Sequence, residues 1–262
     1  MIAALLVETG RTVLLDIEGT TTSIDFVFNV LFPYARSHCG EFLTQHASRL
    51  DVRADLTALC DENMRDVRNG LNPPQLCADT PETERESLVT YIEWLIAHDR
   101  KSTPLKLLQG KIWEEGYRSG QLHGHVFEDV PRALNRWQEQ KRNTCIFSSG
   151  SVLAQRLLFA HTTGGDLTSH ISHFFDTTTG PKTDVQSYQI IARSLQLLPG
   201  EIVFISDVTA ELDAAQSAGL QTLLCQRAGN RPQPMSAHRR IRSLDEVCPS
   251  TSEPNTHAVR SI

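Results

Sequence analysis

The 262-residue chain has little that would tie it to a membrane, a nucleic acid or an oxidising compartment. No stretch approaches the roughly 18 consecutive apolar residues of a spanning helix. The start, Met1 to Glu8, has only a short apolar stretch and no basic leader, so it lacks the form of a secretory signal. Lys and Arg never form a block and the net charge is -6, which speaks against a phosphate backbone as partner, because that binding needs clustered cations. Six cysteines (39, 60, 77, 145, 225 and 248) are scattered without a C-x-x-C pair or a metal-ligand spacing. Two of them, Cys145 and Cys225, sit inside apolar runs and read as small core hydrophobes. What these absences leave is a globular protein of a reducing, cytoplasmic setting, with nuclear presence open to a eukaryotic one. A small phosphorylated partner remains compatible with the acidic balance, since one metal ion and one lysine can hold a single phosphate.

What is present begins with an ordinary globular balance of 40% hydrophobic and 21% charged residues. A chain of this length buries roughly three-quarters of its unfolded surface. It suits one large domain, or a core carrying a smaller insert. Four short apolar runs end in polar residues: Thr12 to Leu15 before Asp16, Thr144 to Phe147 before Ser148, Ile202 to Ile205 before Ser206-Asp207, and Thr222 to Cys225 before Gln226. Helical patterns separate the later ones, over Pro131 to Lys141, Val152 to Ala160, Asp184 to Leu197 and Ala210 to Ala218. Continuous apolar runs between helices predict a doubly wound parallel sheet covered on both faces. In such α/β sheets ligands lie beyond the carboxyl ends of the strands.

From about Ile24 to His125 that rhythm breaks into helical patterns with no convincing strand, for instance Phe26 to His46, Glu82 to Ala97 and Leu105 to Tyr117. The predicted organisation is therefore an α/β core over 1–23 and 126–248, with a helical cap insert over 24–125. A Ser/Thr/Pro-rich, polar tail over 249–262 reads as disordered. Because the insert follows the first strand's acidic turn directly, it is placed to act as a lid.

The chemistry concentrates at strand ends. Asp16, in Leu14-Leu15-Asp16-Ile17-Glu18-Gly19-Thr20-Thr21, is a carboxylate able to attack phosphorus in line, and Glu18 can hand a proton to the leaving oxygen. The same turn also suits a plain strand-to-helix junction with capping carboxylates. Ser148-Ser149-Gly150-Ser151 offers hydroxyls and backbone N–H groups at a helix start, which bind phosphate oxygens or simply cap the helix. Lys182, just ahead of a helix, can balance developing charge. Asp207 supplies the hard oxygen that magnesium prefers. Glu211 and Asp213, on the following helix, are supporting candidates with a competing role near the positive end of its dipole.

Asp, Ser, Lys and Asp in that order, each beside a strand end or helix start, resemble the motif sequence of the haloacid dehalogenase-like phosphohydrolases. The likeness narrows further. Asp16-Ile17-Glu18-Gly19-Thr20-Thr21, Phe32-Pro33-Tyr34-Ala35, Asp99-Arg100-Lys101-Ser102, Leu108 to Trp113 and Phe175 to Lys182 resemble the enolase-phosphatases (acireductone synthases) of methionine salvage. Glutamate at position 18, where most of the superfamily has aspartate, supports that narrower family. The resemblance spans roughly residues 12–230. It implies a Mg2+-dependent enzyme that enolises a small phosphorylated diketone and then removes its phosphate. Asp16, Glu18 and Asp207 would hold one magnesium per chain; Ser148, Ser149 and Lys182 would bind the substrate, with Asp16 and Glu18 catalytic. A lidded monomer is the natural form. No enolisation base is singled out among Glu93, Asp99, Lys101, Lys106 and Gln109, or among His123, His125, His161, His170 and His173. The competing readings are another phosphatase of the superfamily, a metal-free dehalogenase, and a silent α/β binding domain; retention of all four reactive side chains disfavours the last.

Overall fold

The computed structural model describes residues 10–98 and 100–248, so the tail expected over 249–262 lies outside the described residues. Six strands form one parallel sheet: β1 (Thr12–Leu15), β2 (Asn143–Phe147), β3 (His173–Phe175), β4 (Ile202–Ser206), β5 (Gln221–Cys225) and β6 (Arg239–Ile241), in the order β3-β2-β1-β4-β5-β6. The central strand β1 pairs in parallel with both β2 and β4, Leu15 standing opposite Ile146 on one side and Ile205 on the other. All four of its residues are buried, which is why the sequence shows an unbroken apolar run rather than an alternation.

One face of the sheet packs Leu14, Cys145, Phe147 and Phe204 against Tyr188 and Ile191 of the Val185–Ser194 helix and Leu212 and Ala215 of the Thr209–Ser217 helix. Tyr188 stands edge-on to Phe147, with ring centroids 5.6 Å apart. Trp137, fully buried on the Asp129–Glu139 helix, donates its indole N–H to Val247 O at 3.1 Å. The four predicted runs are strands within a residue of the expected limits. The sequence pattern does not show β3 and β6, each only three residues long, at the two edges of the sheet.

The chain divides into two compact units. Asp25–Gly124 and Leu153–His161 make one, and the sheet with the remaining described residues makes the other. Helices Phe32–His46, Leu50–Arg68, Pro81–Ala97 and Thr103–Arg118 build the helical unit, and no strand is assigned among its described residues. Its core joins Cys39, Phe42 and Leu43 to Leu59, Tyr91, Leu95, Leu108 and Ile112. The helix predicted from Phe26 widens into a π-turn over Val27–Leu31 just before Pro33, where Phe32 N–H bonds Val27 O. Proline has no N–H to give the preceding turn, and the wider turn absorbs that missing bond. Three helices open on proline, at Pro33, Pro81 and Pro104, and Thr80 and Ser102 cap the latter two with side-chain oxygens.

Candidate active site

Immediately beyond β1 the chain folds around a single carbonyl: Ile17 O accepts hydrogen bonds from the N–H groups of Thr20, Thr21 and Thr22, at 3.2, 2.9 and 3.0 Å. Asp16 stays in line with the sheet, its N–H bonded to Ile205 O at 3.0 Å, and is buried at 4% exposure. The turn needs Gly19. Its φ is +70°, and a Cβ there would lie 2.6 Å from Asp207 Cγ, so any side chain would displace the Asp207 carboxylate.

β4 delivers Ser206 and then buried Asp207, and β2 delivers buried Ser148 followed by exposed Ser149. Ser148 Oγ accepts the Gly150 N–H at 3.2 Å. Asp176, just after β3, accepts the Val152 N–H at 3.3 Å and fixes the start of the Val152–Ala160 helix. Lys182 comes from the loop between β3 and the Val185–Ser194 helix. Its backbone carbonyl is held by the Tyr188 hydroxyl at 2.6 Å, and its ammonium lies 6.0 Å from the ring centres of both Phe147 and Phe204.

The Lys182 ammonium is the electrostatic hub. It lies 2.5 Å from Asp16 Oδ1 and 2.7 Å from Glu211 Oε2, and Glu211 also accepts the Ser206 hydroxyl at 2.9 Å. Burial disfavours the charged amine, but Asp16 and Glu211 outweigh it and raise the Lys182 pKa above its ordinary value, so the lysine is a cation at neutral pH. The carboxyls feel the opposite imbalance. Glu18 is pushed up to about 7, first by burial and then by Asp16, with Lys182 and Arg231 pulling against. Asp207 is likewise pushed up to about 7 by burial, Asp16 and Glu211. Glu211 is raised by burial and Asp16 despite its bond to Lys182. Four carboxyls thus surround one buried ammonium, leaving a surplus of negative charge. Among the described residues no three acidic, histidine or cysteine side chains are grouped as a ready-made metal cage.

Of the residues singled out in the sequence, Asp16, Lys182 and Glu211 touch, and Glu18 and Asp207 lie within their electrostatic reach. Asp213 points elsewhere: its carboxylate bonds His238 Nε2 at 2.9 Å. Among the candidate bases, Glu93 pairs with Arg36 at 3.2 Å, Gln109 is buried in the helical unit, Lys101 is exposed, and Asp99 lies outside the described residues. His125 Nδ1 meets the Thr22 hydroxyl at 2.8 Å and His161 Nδ1 meets Leu157 O at 3.1 Å; His123 and His173 are exposed.

The loop after β5 adds two residues that no sequence motif marks. Arg227 donates to Thr20 O from Nε and Nη2, at 3.2 and 3.0 Å, and Asn230 Nδ2 donates to Gly19 O at 2.9 Å. Their contacts cross more than 200 residues of chain, and the loop has no periodicity to advertise them.

A parallel sheet presenting an aspartate after β1, a serine after β2, a lysine behind β3 and a second aspartate after β4 defines a hydrolase class, and the haloacid dehalogenase-like hydrolase model matches residues 11–219. The chain belongs to that family. Within it, the chain is 48% identical to the enolase-phosphatase E1 of Synechococcus elongatus over 90% of its own length and 97% of the relative's. It is also 48% identical to the enolase-phosphatase E1 of Pseudomonas fluorescens strain Pf0-1, covering 84% and 90% respectively. Membership of the enolase-phosphatase E1 family follows from these two likenesses. Among solved structures, the UTR4 protein of Saccharomyces cerevisiae superposes with a TM-score of 0.71 at 34% identity, over 89% of this chain and 98% of that one. Among the described residues, no helix is long and apolar enough to cross a membrane.

Proposed function

We propose that this chain converts 2,3-diketo-5-methylthiopentyl-1-phosphate into the acireductone 1,2-dihydroxy-3-keto-5-methylthiopentene and phosphate, within methionine salvage from methylthioadenosine. The observation that carries the reading is the buried Asp16 carboxylate bonded to the Lys182 ammonium, in a chain 48% identical to enolase-phosphatase E1 relatives.

In this reading one magnesium ion per chain is held by Asp16, Asp207 and the Glu18 position, through side chain or backbone. The donors fit: they are hard oxygens, buried at Asp16 and Asp207 and half-buried at Glu18, and in excess of the cations beside them. Magnesium retains several waters and binds through one or two carboxylates plus substrate phosphate, so it does not require a protein cage. When bound, the ion draws charge from the phosphoryl oxygens and the diketone.

The residues of the chain supply the phosphatase half of the reaction. Lys182 and the hydroxyls of Ser148 and Ser149 bind the phosphate oxygens from two sides. Asp16 attacks phosphorus, the bond to the substrate oxygen breaks, and an acyl phosphate forms on the Asp16 carboxylate. Glu18, with its pKa near 7, gives a proton to the departing oxygen and takes one from the water that then cleaves the acyl phosphate. All of these residues belong to one unit of one chain, which supports a monomer as the working form. The helical unit begins at Asp25, seven residues after Glu18.

The test is incubation with the diketone phosphate under nitrogen, following enediol absorbance and free phosphate separately. Both signals should rise, stop on chelation and return with added magnesium. Phosphate release from other monoesters with none from the diketone would overturn the substrate assignment, and full activity in chelator would overturn the magnesium assignment.

A further inference from the structure

We propose that Asn230 is a positioning residue of this centre: its side-chain amide holds Gly19, the residue after Glu18, at the height that seats the turn against the Asp207 carboxylate. The inference rests on the proposed phosphatase reading and adds to it a residue outside the Asp-Ser-Lys-Asp series.

Three observations meet at one point. Asn230 Nδ2 donates to Gly19 O at 2.9 Å and to Cys225 O, the last residue of β5, at 3.2 Å, so one amide group ties the turn to a buried strand. The position a Cβ would take on Gly19 is 2.6 Å from Asp207 Cγ and 3.0 Å from Asn230 Oδ1, so the turn passes between these two side chains with no room to spare. The turn's own bonds, Gly19 N–H to Thr22 O at 2.8 Å and the three donors on Ile17 O, fix its internal shape but not its height above the sheet.

Height matters because the neighbours repel. Glu18 and Asp207 each lie in the field of Asp16 and Glu211, and Gly19 passes hard against the Asp207 carboxylate, so the turn needs a tether to stay in place. Two groups from the β5 loop supply it. Arg227 grips Thr20 O, but its guanidinium also serves the fold, bonding Asp129 at 2.7 Å and lying 4.4 Å over the Phe127 ring. Asn230 gives its other side-chain bond to Cys225 O and so braces the turn against the end of β5. It is half-buried and acts on the residue adjoining Glu18. Residues that orient ligands of a metal in this way cost about 10–100-fold in affinity or activity when removed.

The discriminating pair is Asn230→Ala, which removes the amide, and Asn230→Asp, which keeps the shape but not the donor. In both, kcat for phosphate release should fall about 10–100-fold with KM within about threefold. Magnesium affinity, titrated calorimetrically with magnesium chloride alone, should weaken about tenfold or more. Hydrogen exchange across residues 16–22 should quicken while that of β4 and β5 stays as in the parent chain. An Asn230→Asp variant with parental kcat and parental magnesium affinity would overturn the proposal, as would losses that merely track a general drop in Tm with uniformly faster exchange. If the parent chain itself releases no phosphate, the functional reading fails instead, and the two failures are told apart by the parent's assay.

Discussion

Replacing Lys182 by methionine keeps much of the side chain's length and removes only its charge, so it isolates what the ammonium does. The lysine is 7% exposed and bonds two carboxylates that are 6% and 12% exposed. At separations of 2.5 and 2.7 Å and an effective dielectric of about 20, each contact is a gross attraction of roughly 6 kcal/mol. Desolvation of the three groups offsets most of that. What remains is the cost of breaking a buried pair, about 3–5 kcal/mol, because Asp16 and Glu211 are left facing each other without a cation. For a chain of this size that lowers Tm by roughly 6–20 °C, measured by calorimetry at neutral pH without substrate. Part of the loss should return in the double variant Lys182→Met with Glu211→Gln, which removes one of the orphaned charges; a coupling of about 1–3 kcal/mol is expected. In both proteins kcat for phosphate release should stay about 100–1000-fold below the parent, since the charge on the transferring phosphoryl group is no longer balanced. A single variant within 2 °C of the parent Tm and within about twofold of its kcat would refute the placement of Lys182 as the hub.

Asp16→Asn should abolish phosphate release while leaving the circular dichroism spectrum and the sheet intact, and measurable turnover would remove Asp16 as nucleophile. Gly19→Ala forces a Cβ into a φ of +70°, worth roughly 1–2 kcal/mol, and against the Asp207 carboxylate. Its activity should fall at least tenfold, and a variant within twofold of the parent would show that the turn gives way freely. Asp129 Oδ2 collects Arg227, Ser243 Oγ and the Leu244 N–H at 2.7, 2.8 and 2.6 Å; burial alone would raise its pKa, but these bonds outweigh it and hold it below the ordinary 3.8. A depressed folded pKa gives stability that is complete above the unfolded value and lost as pH falls through the folded one. Asp129→Asn should therefore cost about 3–5 kcal/mol in urea unfolding at pH 7, and the gap from the parent should shrink below about pH 4.

The sequence made the central strands easy to read because burial on both faces leaves them wholly apolar: β1, β2, β4 and β5 stand out as runs such as Val13-Leu14-Leu15 and Val203-Phe204-Ile205. The edges obey a different rule. β3 begins with an exposed histidine and β6 carries Arg239 and Arg240, so neither bears the mark of a buried strand, although Ile241 anchors β6 to Cys225. The same distinction runs through the site. Asp16, Ser148 and Asp207 were legible because a strand end aims each of them, and Lys182 because the order of motifs points to it. Asn230 was not, since its role exists only where Gly19 O arrives from 211 residues away. Asp213, two residues beyond Glu211, sits on another face of the same helix and bonds His238.

The pairing order of the sheet also fixes the timetable of its assembly. β1 lies at the centre, yet its two partners begin only at Asn143 and Ile202. At the usual pace of about 5–20 residues per second, the apolar Val13-Leu14-Leu15 segment emerges some ten to forty seconds before β4 exists to cover it. During that interval the helices from Phe32 to Arg118, whose backbone bonds are local, can form. The hundred residues placed after the Asp16 turn therefore do more than separate two stretches of core. They make the strand that carries Asp16 the longest-waiting adhesive segment in the nascent chain, the one a chaperone would most need to shield.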